Sequence, residues 1–192
     1  MNDEINYPEI EFGNIIWLKL EEQADEILLL SKYTLEERPY NDVFACVTWE
    51  TCTLRNYLNG VFFQKFSEKE KGKILRKTNI NNGNLWYNVK SSKNTEDFIF
   101  CLGVDEVVKY FGDSFLLRNG NPDAAAFIID QYNNNRRTFN IDDKLPSRWH
   151  LRTPGQNYYH LTYVSEMGFI HMSGINNHYP NFGLRPAMWV KL

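Results

Sequence analysis

No stretch of the chain stays apolar for the ~20 residues a membrane-spanning helix needs, so insertion into a bilayer is not expected. Cysteine is scarce. Cys46, Cys52 and Cys101 are an odd set without Cys-x-x-Cys spacing, which fits reduced, mostly buried thiols better than a disulfide framework or a zinc site. Neither sign of charge dominates. Twenty-one Lys and Arg against 24 Asp and Glu give a net charge of -3, and no basic cluster is long enough to follow a phosphate backbone, so nucleic acid is not an expected partner. The opening MNDEINYPEIEFGN is acidic and lacks the cationic start and apolar stretch of an export signal. The chain is therefore expected in the cytoplasm, with display at a surface only through a partner. No internal repeat is present.

What is there is enough to fold. The 192 residues are 43% apolar and 15% aromatic, with a mean hydropathy of -0.50, a composition that suits one domain over 1–192 with a real core and a strongly polar remainder. The β-branched and apolar runs at Asn14–Leu20 and Ile27–Leu30 predict two strands, and Pro39 to Asp42 a turn. From Thr51, Leu54, Tyr57, Leu58, Val61, Phe62 and Phe66 recur at three- and four-residue steps and predict one helical face, weakened at Gly60. Ser67 and Glu70 have capping-box spacing and predict a short helix running on through Ile74 and Leu75. Lys77 to Asn94 reads as a long connection pinned by Leu85, Trp86 and Tyr87, and Phe98–Leu102 as a buried strand. Asp105 is placed to cap a helix with Val107, Val108 and Phe111 inward, stopped at Gly112. Leu161–Ser165 and Phe169–Ser173 form a hairpin around Gly168, and Leu184–Leu192 a last strand that Pro186 assigns to an edge or bulge. Strands and helices do not alternate regularly, which favours α+β with a mixed or antiparallel sheet.

Five segments in order, GNIIWLKL at Gly13–Leu20, TWETCTLRNYLNGVFFQKFSEKEKGKI at Thr48–Ile74, DFIFCLGVDEVVKYF at Asp97–Phe111, SRWHLRTPG at Ser147–Gly155 and GLRPAMWVKL at Gly183–Leu192, carry a resemblance over most of the chain. The chain resembles a bacterial domain family, common in gut Firmicutes, that is similar to the C-type-lectin-like and formylglycine-generating-enzyme-like fold. The resemblance implies a sheet with the N- and C-terminal strands paired, two main helices packed on it, and long loops that present ligand-binding residues. The broader fold includes the variable proteins of diversity-generating retroelements, in which adenine-directed mutagenesis rewrites Asn-type codons near the C-terminus.

The region about 156–182 has the residue types such codons produce. Asn157, Tyr158, Tyr159, His160, Tyr163, His171, Asn176, Asn177, His178, Tyr179 and Asn181 are the candidate ligand-binding residues. Tyr and His give large contact area with few rotors, and Asn gives adaptable hydrogen bonds, the composition of an antibody-like paratope. Gln156, Glu166 and Met172 do not arise from Asn codons by first- and second-position changes, so a fixed loop surface stands beside the diversified one. The expected partner is a protein or cell-surface ligand. No cofactor is expected. His150, His160, His171 and His178 lack metal-ligand spacing, and the Glu-Pro-Asn and Trp-Asn-Asp triplets of calcium-dependent lectins are missing. No nucleophile–base pair is visible, and no cysteine lies after Cys101, where a formylglycine-generating enzyme would need them. An enzyme-derived domain of that type, or a structural protein-interaction subunit, are the alternatives. Trp149, Arg152, Arg185 and Trp189 are expected to be scaffold.

Overall fold

Alternating Glu9, Ile10, Glu11 and Phe12 form β1 (Glu9–Phe12), an acidic-apolar strand that the reading of the N-terminus had not foreseen. Gly13 and Asn14 both have positive φ, 62° and 57°, the geometry of a two-residue hairpin turn, and return the chain into β2 (Ile15–Gln23). A Cβ on Gly13 would stand 2.4 Å from the Phe66 ring, so only glycine fits there. In the computed structural model, which describes residues 5–113, 115–120 and 126–192, the chain is mixed α+β with mostly antiparallel sheets and few helices.

The first sheet runs β1, β2, β3 (Glu26–Ser31), β13 (Ala187–Lys191) and β4 (Ile74–Leu75). The first and last segments of the chain therefore share a sheet but do not pair. β3 lies between β2 and β13, with Leu28 opposite Trp189, since Ile27 to Leu30 are buried and the main-chain N–H and C=O groups on both edges of the strand need partners. Two further expectations fail here. Ile74 and Leu75 pair with Val190 and Trp189 as a strand, the capped helix α2 (Glu68–Lys71) having already ended. Pro186 does not mark a sheet edge: β13 starts one residue later, between β3 and β4, and the Pro186 carbonyl accepts the Ser31 amide at 2.9 Å.

The second sheet runs β10 (Trp149–Pro154), β11 (His160–Val164), β12 (Ile170–Asn176) and β7 (Phe127–Ile128), with the predicted hairpin between β11 and β12 closed at Gly168, φ 81°. Two-stranded ribbons join β5 (Lys77–Asn79) to β6 (Thr95–Asp97) and β8 (Thr138–Phe139) to β9 (Pro146–Ser147). Helix α1 (Thr53–Tyr57) continues as a π turn over Leu58–Phe62, around Gly60, and a 3-10 turn to Lys65. Leu54, Leu58, Phe62 and Phe66 are buried as expected, but the π turn swings Val61 out to solvent. α3 (Val104–Phe111) buries Val107, Val108 and Phe111. Gly103, not Asp105, is its N-cap, its amide donating to Glu106 Oε2 at 2.7 Å, and Asp105 stands in the first turn. Ile99 to Leu102 are buried and Phe98 half-buried, but the segment makes only a single bridge, Phe100 to Ala187. Short helices α4 (Phe115–Asn119) and α5 (Asn133–Arg136) complete the helical part.

The buried apolar side chains of both sheets and α3 form one connected core from Trp17 to Val190. Its tryptophans keep their ring N–H groups satisfied: Trp17 donates to Phe12 O, Trp49 to Asp97 Oδ2 and Trp149 to Arg136 O, at 2.8, 2.9 and 3.1 Å. Arg185 is also inside, its guanidinium 4.8 Å from the Trp149 ring centre and its Nε donating to Ser31 O at 2.9 Å; burial pushes its pKa down to about 9. Trp149 and Arg185 are scaffold as expected, and Trp189 is half-buried on β13.

Asp97 has no solvent exposure and collects four donors: Arg55 Nε at 2.6 Å, Thr95 Oγ1 at 2.7 Å, and Trp49 Nε1 and Asn79 Nδ2 at 2.9 Å each. Asp97→Ala strips all four of their acceptor and leaves the Arg55 charge without its ion-pair partner. The expected loss is about 3–5 kcal/mol of unfolding free energy in urea denaturation. A loss below about 0.5 kcal/mol, the size of a surface change, would contradict the hub role.

His150 is enclosed on β10. Its Nε2 lies 2.6 Å from Arg38 O, and the Phe182 ring stacks on it at 5.0 Å. Burial pushes its pKa from 6.5 down to about 4, so the unfolded chain takes up a proton between those values that the folded chain refuses. The stability tied to neutral His150 is complete above pH 6.5 and is lost as pH falls towards 4, up to roughly 3 kcal/mol for a shift of this size. His150→Phe keeps the stack and should flatten the fall in urea midpoint between pH 7 and pH 4.5; an unchanged slope would contradict this account.

Candidate functional site

Three loops meet at one end of the molecule, and a single buried side chain joins them. Asn177 follows β12, and its Nδ2 donates to Ala45 O at 2.7 Å and lies 3.3 Å from Tyr158 O. Its backbone N–H donates to Tyr159 O at 3.0 Å, and its carbonyl accepts the Asn41 amide at 2.9 Å. Loop 155–159, loop 41–47 and the segment after β12 thus share main-chain bonds with one residue. Val47 N adds a bond to Tyr158 O at 3.1 Å.

Asn41 braces the middle loop from within. Its Nδ2 donates to Val43 O at 2.8 Å and its Oδ1 accepts the Thr53 amide at 3.0 Å, which ties the loop to the start of α1. Tyr158 donates its hydroxyl to Lys90 O at 2.8 Å, and the Asn157 carboxamide accepts from Tyr159 N and meets His160 Nδ1 at 2.8 Å. The braces leave Val43 and Phe44 62% and 56% exposed, and the Phe44 ring lies against that of Tyr159 with centres 5.1 Å apart.

The expected site residues therefore divide. Asn157, Tyr159, Asn176, His178, Tyr179 and Asn181 are exposed, while Tyr158 and His160 are half-buried at the same loop end. Asn177 is the correction: only 1% of it is exposed, and it serves the loops' backbones instead of a ligand. Tyr163 and His171 form a separate set. They are cross-strand partners on β11 and β12, stacked with ring centres 4.1 Å apart, with Phe127 edge-on to His171 and Phe182 edge-on to Tyr163. Tyr179 also meets Phe182 edge-on, at 5.9 Å, so it links the two sets. Burial pushes the His171 pKa down to about 4, which keeps the stacked ring neutral near pH 7.

Missed altogether were Val43 and Phe44. The one signal was two apolar residues directly after the Tyr40–Asp42 turn, which a reading of the turn alone passes over. Cys46 is exposed on the same loop, whereas Cys52 and Cys101 are buried; burial pushes the Cys52 thiol up to about 12 and Cys101 higher still. Among the described residues no three His, Cys, Asp or Glu side chains are grouped to hold a metal ion, and no helix is long and apolar enough to cross a membrane.

Residues 24–192 match the family described as a domain of unknown function, DUF6273. The chain belongs to this DUF6273 family. No curated protein and no solved structure matches the chain. The DUF6273 match begins after β2 and takes in all three loops of the face together with β13, so both the brace at Asn177 and the exposed Phe44–Tyr159 pair lie within it.

The brace and the exposed set make opposite demands on stability. Asn177→Ala removes the donor from two carbonyls and should cost about 1–3 kcal/mol. Tyr159→Ser and His178→Ser should each shift unfolding by about 0.5 kcal/mol or less. Thermal and urea denaturation of the three single variants checks the contrast, and an Asn177→Ala protein as stable as the parent would refute the bracing.

Proposed function

We propose that this DUF6273 domain is a non-enzymatic recognition module of C-type-lectin-like architecture, which binds a protein partner through the loop end formed by residues 41–47, 156–160 and 176–179. The observation that carries the reading is the Phe44–Tyr159 pair, with Val43 beside it: large apolar side chains held in solvent on loops whose backbones are bonded to a buried residue. Holding such groups out costs hydrophobic free energy unless another surface covers them, and clustered exposed apolar groups ringed by polar ones mark interaction sites. Asn157, Asn176 and His178, exposed on the same loops, supply adaptable polar groups beside the pair, while Asn181 lies apart in a cleft with Arg148 and Glu166.

Support for the lectin-like arrangement comes from the early and late strands that share one antiparallel sheet, the two helical stretches at 53–65 and Val104–Phe111, and a second sheet that carries the long loops. The non-enzymatic reading is supported by the thiols, since Cys52 and Cys101 are buried and held protonated and so lack the thiolate that oxidative or acyl-transfer chemistry uses. Retroelement diversification fits the exposed positions of 156–182 and excludes Asn177, where most replacements would break the brace. A reverse-transcriptase gene beside the coding sequence, with a near-copy of the codons for 156–182 differing at adenines, is the genomic form of that reading.

The direct test compares the parent with a Phe44→Ser, Tyr159→Ser, Tyr179→Ser variant that keeps the parent melting temperature. Both are immobilised and exposed to proteins of the source cell and its surroundings, and retained proteins are quantified by mass spectrometry. The reading expects at least one protein whose retention falls about tenfold or more on the variant, the loss expected when aromatic anchors leave an interface. Equal retention on both surfaces would overturn it.

A further inference from the structure

Beside the loop face, residues 79–82 alternate inward and outward and Asn84 turns in again after Gly83, with a different set of braces. Asn79 Nδ2 donates to Asp97, Asn81 Nδ2 to Lys93 O at 2.7 Å, and Asn84 Nδ2 lies 2.7–3.2 Å from the carbonyls of Pro154, Gly155 and Met172. A Cβ on Gly83 would fall 2.0 Å from Val89 O, so the loop also passes too close to its neighbour to admit a side chain there. With the asparagines turned in, Ile80 and Leu85 are turned out, 62% and 72% exposed. Between them Asn82 Nδ2 donates to Asp105 Oδ2 at 2.7 Å, which spans the gap from the loop to the first turn of α3.

That bond is a bar between two clefts of about 260 Å³ each. Ile80, Thr78 and Trp189 line one, Leu85, Val104, Leu117 and Met172 the other, and Asn82, Asp105 and Thr153 belong to both. Each is smaller than an ordinary drug-sized pocket and suits one side chain. Charge narrows the occupant. Among the described residues Asp105 is in no ion pair, and the one cation lining either cleft, Arg152, is paired with Glu106 and bonded to Cys101 O and Ile80 O. An anion would meet Asp105 without a free counter-charge. The Trp189 ring carries the Lys77 ammonium at 5.6 Å, which disfavours it as a bare stacking platform for a sugar.

We propose that this double cleft binds an extended peptide segment of the pattern apolar-x-Lys-x-apolar, with the ammonium group on Asp105 and an apolar side chain in the cleft on either side of the bar. In an extended chain residues i, i+2 and i+4 lie on one face, which delivers the three groups in the order cleft, bar, cleft. In the Ile80 cleft the apolar contact comes from Ile80 and Trp189, the rest of its wall being polar, and because these residues and Asp105 stand on braced segments, little ordering is needed on binding. The clefts share no lining residue with the recognition face proposed above, which they adjoin through the Asn84–Gly155 and Tyr158–Lys90 bonds, and the proposal does not depend on that reading.

The probe is N-acetylated, C-amidated Leu-Ser-Lys-Ser-Leu, titrated into the full ¹⁵N-labelled chain. The expected result is saturable amide shifts at Asn82, Gly83, Asp105 and Thr153, weakened about two- to fivefold by norleucine in place of lysine or by Asp105→Asn, and weakened by added salt as an exposed ion pair requires. Phe44→Ser should leave the titration unchanged. Three results would overturn the proposal: no saturable shifts at millimolar peptide, equal binding of the norleucine peptide, or shifts centred on residues 41–47 and 156–181 instead of the clefts. Melting curves of Asp105→Asn matching the parent keep a folding defect from standing in for lost binding.

Discussion

Asparagine side chains bonded to the main chain between segments, with one buried aspartate that gathers four side-chain donors, are what the rest of this structure depends on. A chain that carries long connections over a core must satisfy every carbonyl and amide that the connections bury, and regular ladders do not reach them. Here Asn41, Asn59, Asn81, Asn84 and Asn177 do so, while Asp97 gathers the side chains of Trp49, Arg55, Asn79 and Thr95. A carboxamide can donate to one segment and accept from another, as Asn41 does between Val43 and Thr53. The loops therefore behave as parts of the scaffold, and apolar groups such as Phe44, Ile80 and Leu85 are fixed in solvent instead of collapsing onto the core.

This division of labour explains which parts of the fold were legible in the residues. Where a rule is local, it held, except that the cap of α3 fell on Gly103 and not Asp105. The Ser67–Glu70 capping box, the Gly112 stop and the Gly168 hairpin are each decided within a few residues by a cap or a positive φ. Where the outcome depends on a distant partner, it did not. Ile74 and Leu75 follow a helix cap and are apolar at helical spacing, yet the free edge of β13 recruits them as a strand. The expected pairing of N- and C-terminal strands missed β3 as the intermediary, because apolar content marks a strand as buried but does not say which of two buried neighbours it takes. Val61 fell on the predicted apolar face and is exposed because one π turn shifts the phase of the helix.

The candidate site was legible to the same extent. Residue types around 156–182 pointed to a Tyr-, His- and Asn-rich surface, and six of those positions are exposed. Composition carries no direction, however: Asn176 and Asn177 are identical residues side by side, and one faces solvent while the other braces three loops. Tyr163 and His171 are spent on each other across β11 and β12. Phe44, which lies more than a hundred positions earlier in the chain, joins the surface only because Asn177 draws its loop in beside Tyr159.

The central claim is that the loop end is rigid before any partner arrives. Amide hydrogen exchange of the free protein at Asn41, Val47 and Asn177, whose N–H groups make the inter-loop bonds, tests it most directly. The account predicts protection approaching that of the β3 and β13 amides in the parent, and loss of protection at all three positions together in Asn177→Ala. Exchange of these amides in the parent at the rate of an open loop, or a variant in which they stay protected, would contradict it.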